Sequence, residues 1–146
     1  MAAYREHADE QLTALLCASA SRGSWGGVAL APTLSANAGE PIAALTRAAI
    51  RPRHARSFWR HSPATEAGLR SSRGCRLAVG LGEAPLLRQA TFSLWDDSQS
   101  LEAYARHGAH QAASAGARRE GWFSESMFAR LVPLQMQGRW HGQNFG

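Results

Sequence analysis

Residues 125–142 repeat the pattern of residues 10–27, and a repeat at that spacing narrows the folds open to the chain. At an offset of 115 residues, Glu10, Leu12, Ala14, Leu16, Gly23, Trp25 and Gly27 align with Glu125, Met127, Ala129, Leu131, Gly138, Trp140 and Gly142. Each stretch is an apolar run closed by Gly-x-Trp-x-Gly. A period this long is a whole domain rather than a solenoid unit. The expected organisation is a complete copy at residues 41–146, preceded at residues 1–40 by the closing part of an earlier copy and a linker. The chain is then expected to start inside a longer architecture.

The complete copy reads as six elements. Ile42, Leu45, Ala49 and Ile50 suit a strand over Pro41 to Arg51, stopped by Pro52. Ala55, Phe58 and Trp59 mark the inner side of a helix in which Pro63 is expected to interrupt or kink the chain. A second helical piece is expected from Thr65 to Leu69. Cys75, Leu77, Val79 and Leu81 alternate with Arg76, Ala78, Gly80 and Gly82, the period of a strand with one buried face. A third strand, Leu87 to Trp95, returns beside it. Asp96-Asp97-Ser98 then supplies helix-start chemistry for a helical stretch that Gly108 divides. The last strand is expected from Met127 to Met136, with Pro133 tolerated only at an edge or bulge.

Strand, helix, strand, strand, helix, strand is the ferredoxin-like α+β plan, with helices on one face of an antiparallel sheet. The other face then calls for a second sheet, as in a dimeric α+β barrel. A partner copy in a homo-oligomer is the expected source. Ahead of this unit, a closing helix over Tyr4 to Glu10, a strand over Leu12 to Ala20 and a small-residue linker from Pro32 to Glu40 would complete the remnant.

Composition excludes more than it assigns. The chain has 146 residues, enough for one sizeable core, and its formal net charge of +5 comes entirely from arginine. Arg51, Arg53, Arg56 and Arg60 cluster beside Phe58 and Trp59, a combination that can serve nucleic acid. Their helical spacing is accounted for by a solvated helix face, and no nucleic-acid partner is expected. Cys17 and Cys75 lack the spacing of a zinc site or a disulfide framework. No apolar run has the roughly 18 residues of a spanning helix, so a cytoplasmic protein with at most peripheral contact at the inner membrane is expected.

Four stretches carry a family resemblance: residues 44–52, Phe58-Trp59-Arg60, residues 80–95 and Glu120-Gly121-Trp122-Phe123-Ser124-Glu125. Together they resemble the spheroidene monooxygenases, bacterial acyclic carotenoid ketolases, over nearly the whole chain from Tyr4 to Gly142. Members of that family look longer at the N-terminus. The resemblance implies a haem protein that oxidises the C-2 methylene of carotenoids such as spheroidene, with dioxygen and electrons from a reduced ferredoxin. The alternative is a noncatalytic ferredoxin-like ligand-binding module, or an inactive truncated homologue.

Oxygen insertion into a C–H bond needs a metal or flavin, because no ordinary side chain activates dioxygen. Gly80-Leu81-Gly82 lies between strands and makes a poor dinucleotide fingerprint. A haem requires an axial ligand, commonly histidine. The resemblance implies His110 as iron ligand, at the position of the family's Gly-Pro-His segment, here Gly108-Ala109-His110. His107 is a nearby competitor. Arg118 and Arg119 are candidates for the haem propionates, and Arg88 for polarising bound oxygen or pairing a propionate. Glu83 is a candidate proton carrier. Phe92, Trp95, Trp122 and Phe123 are candidates for lining a polyene channel.

Overall fold

The computed structural model describes residues 8–83 and 86–146, with the backbone alone for Glu83, Ala109 and His110. Its strands are β1 (Leu12–Gly23), β2 (Ile42–Ile50), β3 (Cys75–Glu83), β4 (Arg88–Trp95), β5 (Phe123–Trp140) and β6 (Gln143–Phe145). A 3-10 turn at Pro52–His54 leads into α1 (Ala55–Ser71), and α2 (Ser98–Arg106) and α3 (Gly108–Glu120) join β4 to β5. From β2 to β5 this is the expected order. Every strand pair is antiparallel, in the sequence β5-β2-β4-β3, which is the ferredoxin-like arrangement. β1 extends the sheet beyond β5, and β6 folds back on the end of β5.

Local chemistry sets most boundaries. The Asp97 carboxylate accepts the Ser100 N–H at 2.7 Å and so caps α2, and Gly108 separates α2 from α3 as expected. Pro63 does not end the first helix: α1 runs unbroken through it to Ser71. Pro63 is exposed, so its ring meets solvent and water can serve the carbonyl that the missing N–H leaves open. In β3 the expected alternation fails at its first residue. A bulge between Cys75 and Leu77 turns Cys75 to the opposite side of the sheet from Leu77. β5 is longer than expected, with 18 residues, and Pro133 sits at a bulge in it. Of the helix expected over Tyr4 to Glu10, residues 4–7 lie outside the described residues, and residues 8–11 are not helical.

The sheet separates two apolar clusters. On the helix side Ile42, Ala44 and Trp95 pack with Leu69 of α1 and Leu101 of α2. On the other, open side Ala43, Leu77, Leu94, Ala129 and Leu131 are buried. Leu45, Val79, Phe92, Leu12 and Leu16 extend that side and are half-buried, and Trp140 at the end of β5 and Phe145 of β6 pack into the same cluster.

The β1–β5 ladder is symmetric under the offset of 115. Leu12 pairs Gly138 while Met127 pairs Gly23, and the centre is the pair Cys17 and Val132. Each strand carries one bulge, with Ser19 skipped on β1 and Leu134 on β5, again 115 apart. A Cβ on Gly23 would lie 2.1 Å from the Ser126 carbonyl oxygen, and one on Gly138 would lie 2.0 Å from that of Gln11. Both glycines also have positive φ, so only glycine suits either place. The carboxylates exchange in the same way. Glu10 accepts the N–H groups of His141 and Gly142 at 2.6 and 2.8 Å, and Glu125 accepts those of Gly26 and Gly27 at 3.1 and 3.0 Å. Two equivalent strands thus lock each other's turns about a local two-fold axis.

Candidate functional site

Two concave or uncovered apolar regions stand out, on opposite sides of the sheet. On the open side, alternation along β2, β4 and β3 aligns Ala43, Leu94 and Leu77 in one row and Leu45, Phe92 and Val79 in the next. Leu81 continues this face and is 52% exposed. The face ends in charge. Arg88 and Glu125 flank Ala49 across β4, β2 and β5, and the Arg47 guanidinium lies 3.7 Å from the centre of the Trp25 ring. The N–H groups of Gly27 and Gly26, with the Ser24 hydroxyl and the Arg88 charge, hold the Glu125 carboxyl below the ordinary carboxylate range. Glu83 is the register partner of Arg88 on β3.

On the helix side, a cavity of about 310 Å³ opens between α1, α2 and the start of α3. Gly68 of α1, Ser72 and Arg73 just past its end, Ser100, Ala103 and Tyr104 of α2, and His107 and Gly108 at the helix junction line it. Burial pushes the Tyr104 phenol up to about 12, and its ring lies 5.3 Å from that of Trp95. The His107 Nδ1 lies 2.8 Å from the Ala103 carbonyl oxygen. A carbonyl only accepts, so Nδ1 carries a proton, and in the neutral tautomer the lone pair is on Nε2. That is the state in which an imidazole binds a metal, with its other nitrogen oriented by the backbone.

The residues singled out from the sequence fall into separate places. Arg88 and Phe92 share the open face, with Glu83 opposite Arg88 in register. His110 lies in the first turn of α3, on the helix side, and its side chain is outside the described residues. The sheet therefore stands between Arg88 and the start of α3, and the two do not meet. Arg118 and Arg119 are exposed at the far end of α3, where Arg119 pairs with Glu120 at 3.3 Å. Trp95 is fully buried in the helix-side core, its indole N–H donating to Ser93. Trp122 is buried beside α3, donates to Glu120 at 2.8 Å and faces the His61 ring at 5.4 Å. Phe123 packs edge-on against Phe58. Sequence reasoning passed over Tyr104 and Arg73, which are brought together only by the crossing of α1 and α2. Among the described residues no three His, Cys, Asp or Glu side chains are grouped to hold a bare metal ion.

No family model matches the chain. Among solved structures, a protein from Pseudomonas aeruginosa, PA3566, superposes with a TM-score of 0.58 at 19% identity over 68% of this chain and 99% of its own. SnoaB from Streptomyces nogalater, a cofactor-independent oxygenase, superposes with a TM-score of 0.54 at 12% identity over 66% of this chain and 95% of its own. At these identities the likeness shows the fold alone, a ferredoxin-like α+β unit. Sequence relatives are much nearer. The spheroidene monooxygenase of Rubrivivax gelatinosus is 49% identical over 98% of the chain, and that of Rhodobacter capsulatus is 39% identical over 97%. A third, from Cereibacter sphaeroides, is 37% identical over 97%. The chain spans 55%, 60% and 44% of their respective lengths. Over the part of those proteins that it spans, the chain is similar throughout to the spheroidene monooxygenases.

Proposed function

We propose that this chain forms part of a haem-dependent oxygenase that oxidises acyclic carotenoids of the spheroidene type at C-2 to a ketone. The observation that carries the reading is the extent of the likeness to proteins named spheroidene monooxygenase. It runs over 97–98% of the chain and so includes both apolar regions just described. A long polyene is held chiefly by apolar contact, and the row of Leu45, Val79 and Phe92 offers such a surface in reach of solvent. Trp95 serves this reading as support for α2, since its ring is enclosed by core; Trp122 and Phe123 support the joint of α1, α3 and β5.

The cavity at the start of α3 fits a haem in the chemistry of its donors. His107 has its Nδ1 held by the Ala103 carbonyl and its Nε2 left as the candidate ligand atom, Tyr104 offers a phenol, and Arg73 a guanidinium suited to a propionate. His110, one turn into α3, is the iron ligand that family resemblance implies. Arg118 and Arg119 lie roughly 12–14 Å further along the helix axis, so in this reading Arg73 is the better placed propionate partner. A bound haem would supply the dioxygen activation that side chains lack. Arg88, across the sheet from this cavity and with Glu83 beside it in register, closes the polar end of the open face, where it would hold the end of the polyene that is not being oxidised. Electrons would come from a reduced ferredoxin, and contact with the inner membrane would be peripheral. Among the described residues no helix is long and apolar enough to cross a membrane.

Titration of the purified protein with haemin tests the reading, run beside His110→Ala and His107→Ala. A saturable one-to-one Soret band that shifts or weakens in either variant is expected, followed by a fall in spheroidene binding in Phe92→Ala. Absence of a saturable band in the wild type overturns the haem assignment for this chain.

A further inference from the structure

The local two-fold axis of the β1–β5 ladder makes an assignment for the outer edge of β1. In a strand the N–H and C=O of one residue point to the same side, and the side alternates residue by residue. The Gln11 carbonyl accepts the Arg139 N–H at 2.7 Å, so Gln11, Thr13 and Leu15 face β5. Leu12, Ala14, Leu16 and Ala18 face outward. Ala18 confirms the alternation, because its carbonyl accepts Thr33 N–H at 2.8 Å from the segment that runs outside β1. Leu12, Ala14 and Leu16 pair with no strand among the described residues.

Their counterparts on β5 are Met127, Ala129 and Leu131, and those three pair outward with Arg47, Leu45 and Ala43 of β2. The edge left open on β1 is therefore the stretch that β5 uses to hold the first strand of its own unit. Leu15 points to the same conclusion. It is 57% exposed, whereas its counterpart Arg130 is held by Glu102 of α2 at 3.2 Å. An exposed, unpaired apolar edge invites strand addition.

We propose that β1 is the last strand of a second ferredoxin-like unit, supplied by the additional length that the curated relatives possess. That unit's first strand docks antiparallel on Leu12, Ala14 and Leu16. The register follows from the symmetry. The docked strand sets a residue in the place of Ala43 opposite Leu16, one in the place of Leu45 opposite Ala14, and one in the place of Arg47 opposite Leu12. The helix that takes α2's place in that unit covers Leu15. The assignment is independent of haem and of the carotenoid, and its test reads neither.

Hydrogen exchange is measured on this chain alone and on a chimera in which this chain replaces the segment it matches in the Rubrivivax gelatinosus protein. The amides of Leu12, Ala14 and Leu16 are expected to exchange ~100-fold more slowly in the chimera. Ala14→Pro removes only an outward N–H, so this chain's melting temperature is expected to hold within about 2 °C while that of the chimera falls by several degrees. If the chimera does not fold, the same exchange and the aligned proline substitution are read on the Rubrivivax gelatinosus protein itself. Equal exchange in both chains, or an equal effect of the proline, overturns the assignment. Protection in this chain alone that rises with protein concentration also overturns it, and gives the edge to a second copy.

Discussion

At the scale of single residues, the exchanged carboxylates Glu10 and Glu125 do the least visible work. Gly142 and His141 N–H groups hold Glu10 below the ordinary carboxylate range, as Gly27 and Gly26 hold Glu125. A carboxyl lowered in the folded state contributes stability that is present above its unfolded value of 4.5. That contribution is lost as pH falls through the folded value. Melting temperatures taken between pH 6 and pH 3 are therefore expected to drop less steeply in a Glu10→Gln, Glu125→Gln double variant than in the wild type. Asp97, Glu102 and Glu120 are lowered too and account for the slope that remains. Gly138→Ala drives a Cβ into the Gln11 carbonyl at positive φ and is expected to cost about 1–3 kcal/mol by urea denaturation. The residue pairing at offset 115 was legible from side-chain types alone, but the backbone N–H partners of Glu10 and Glu125 were not, because such partners leave no mark in composition. Trp95 shows the converse limit: an aromatic reads the same whether it lines a channel or fills a core.

At the scale of elements, turn chemistry and period were legible and interruptions were not. Asp97 and Gly108 announced α2 and its end through short-range chemistry. Pro63 suggested a break that the fold overrides, because Leu69 beyond it is anchored in the helix-side core and the proline itself faces solvent. Pro63→Ala is accordingly expected to raise stability by about 1–3 kcal/mol, measured by urea denaturation, with no change in helix boundaries. Bulges at Ser19 and Arg76 were hidden, since a bulge shifts which face later residues take while leaving the alternating pattern on either side intact, whereas Pro133 marked the bulge beside it at Leu134. The cavity lined by His107 and Tyr104 was equally hidden. It depends on how α1 crosses α2, a tertiary relation that no local pattern encodes.

At the scale of the whole molecule, strand order and the need for a second covering layer followed from the order of elements alone. The open face is where that need is greatest. Phe92→Lys and Leu81→Lys are expected to reduce binding of an apolar fluorescent dye several-fold while leaving far-ultraviolet circular dichroism unchanged. Retained dye binding would place the apolar surface elsewhere. The paired bulges have a further consequence, for folding. β1 and β5 lie far apart along the chain and are similar in sequence, and chains with duplicated strands are prone to joining the wrong ones or the right ones out of step. With one extra residue on each strand, placed symmetrically about Cys17 and Val132, a slip by one residue misaligns both bulges at once and strands both glycines. The ladder thus acts as a two-point combination lock, closing in one alignment and rejecting its neighbours while the protein is still folding.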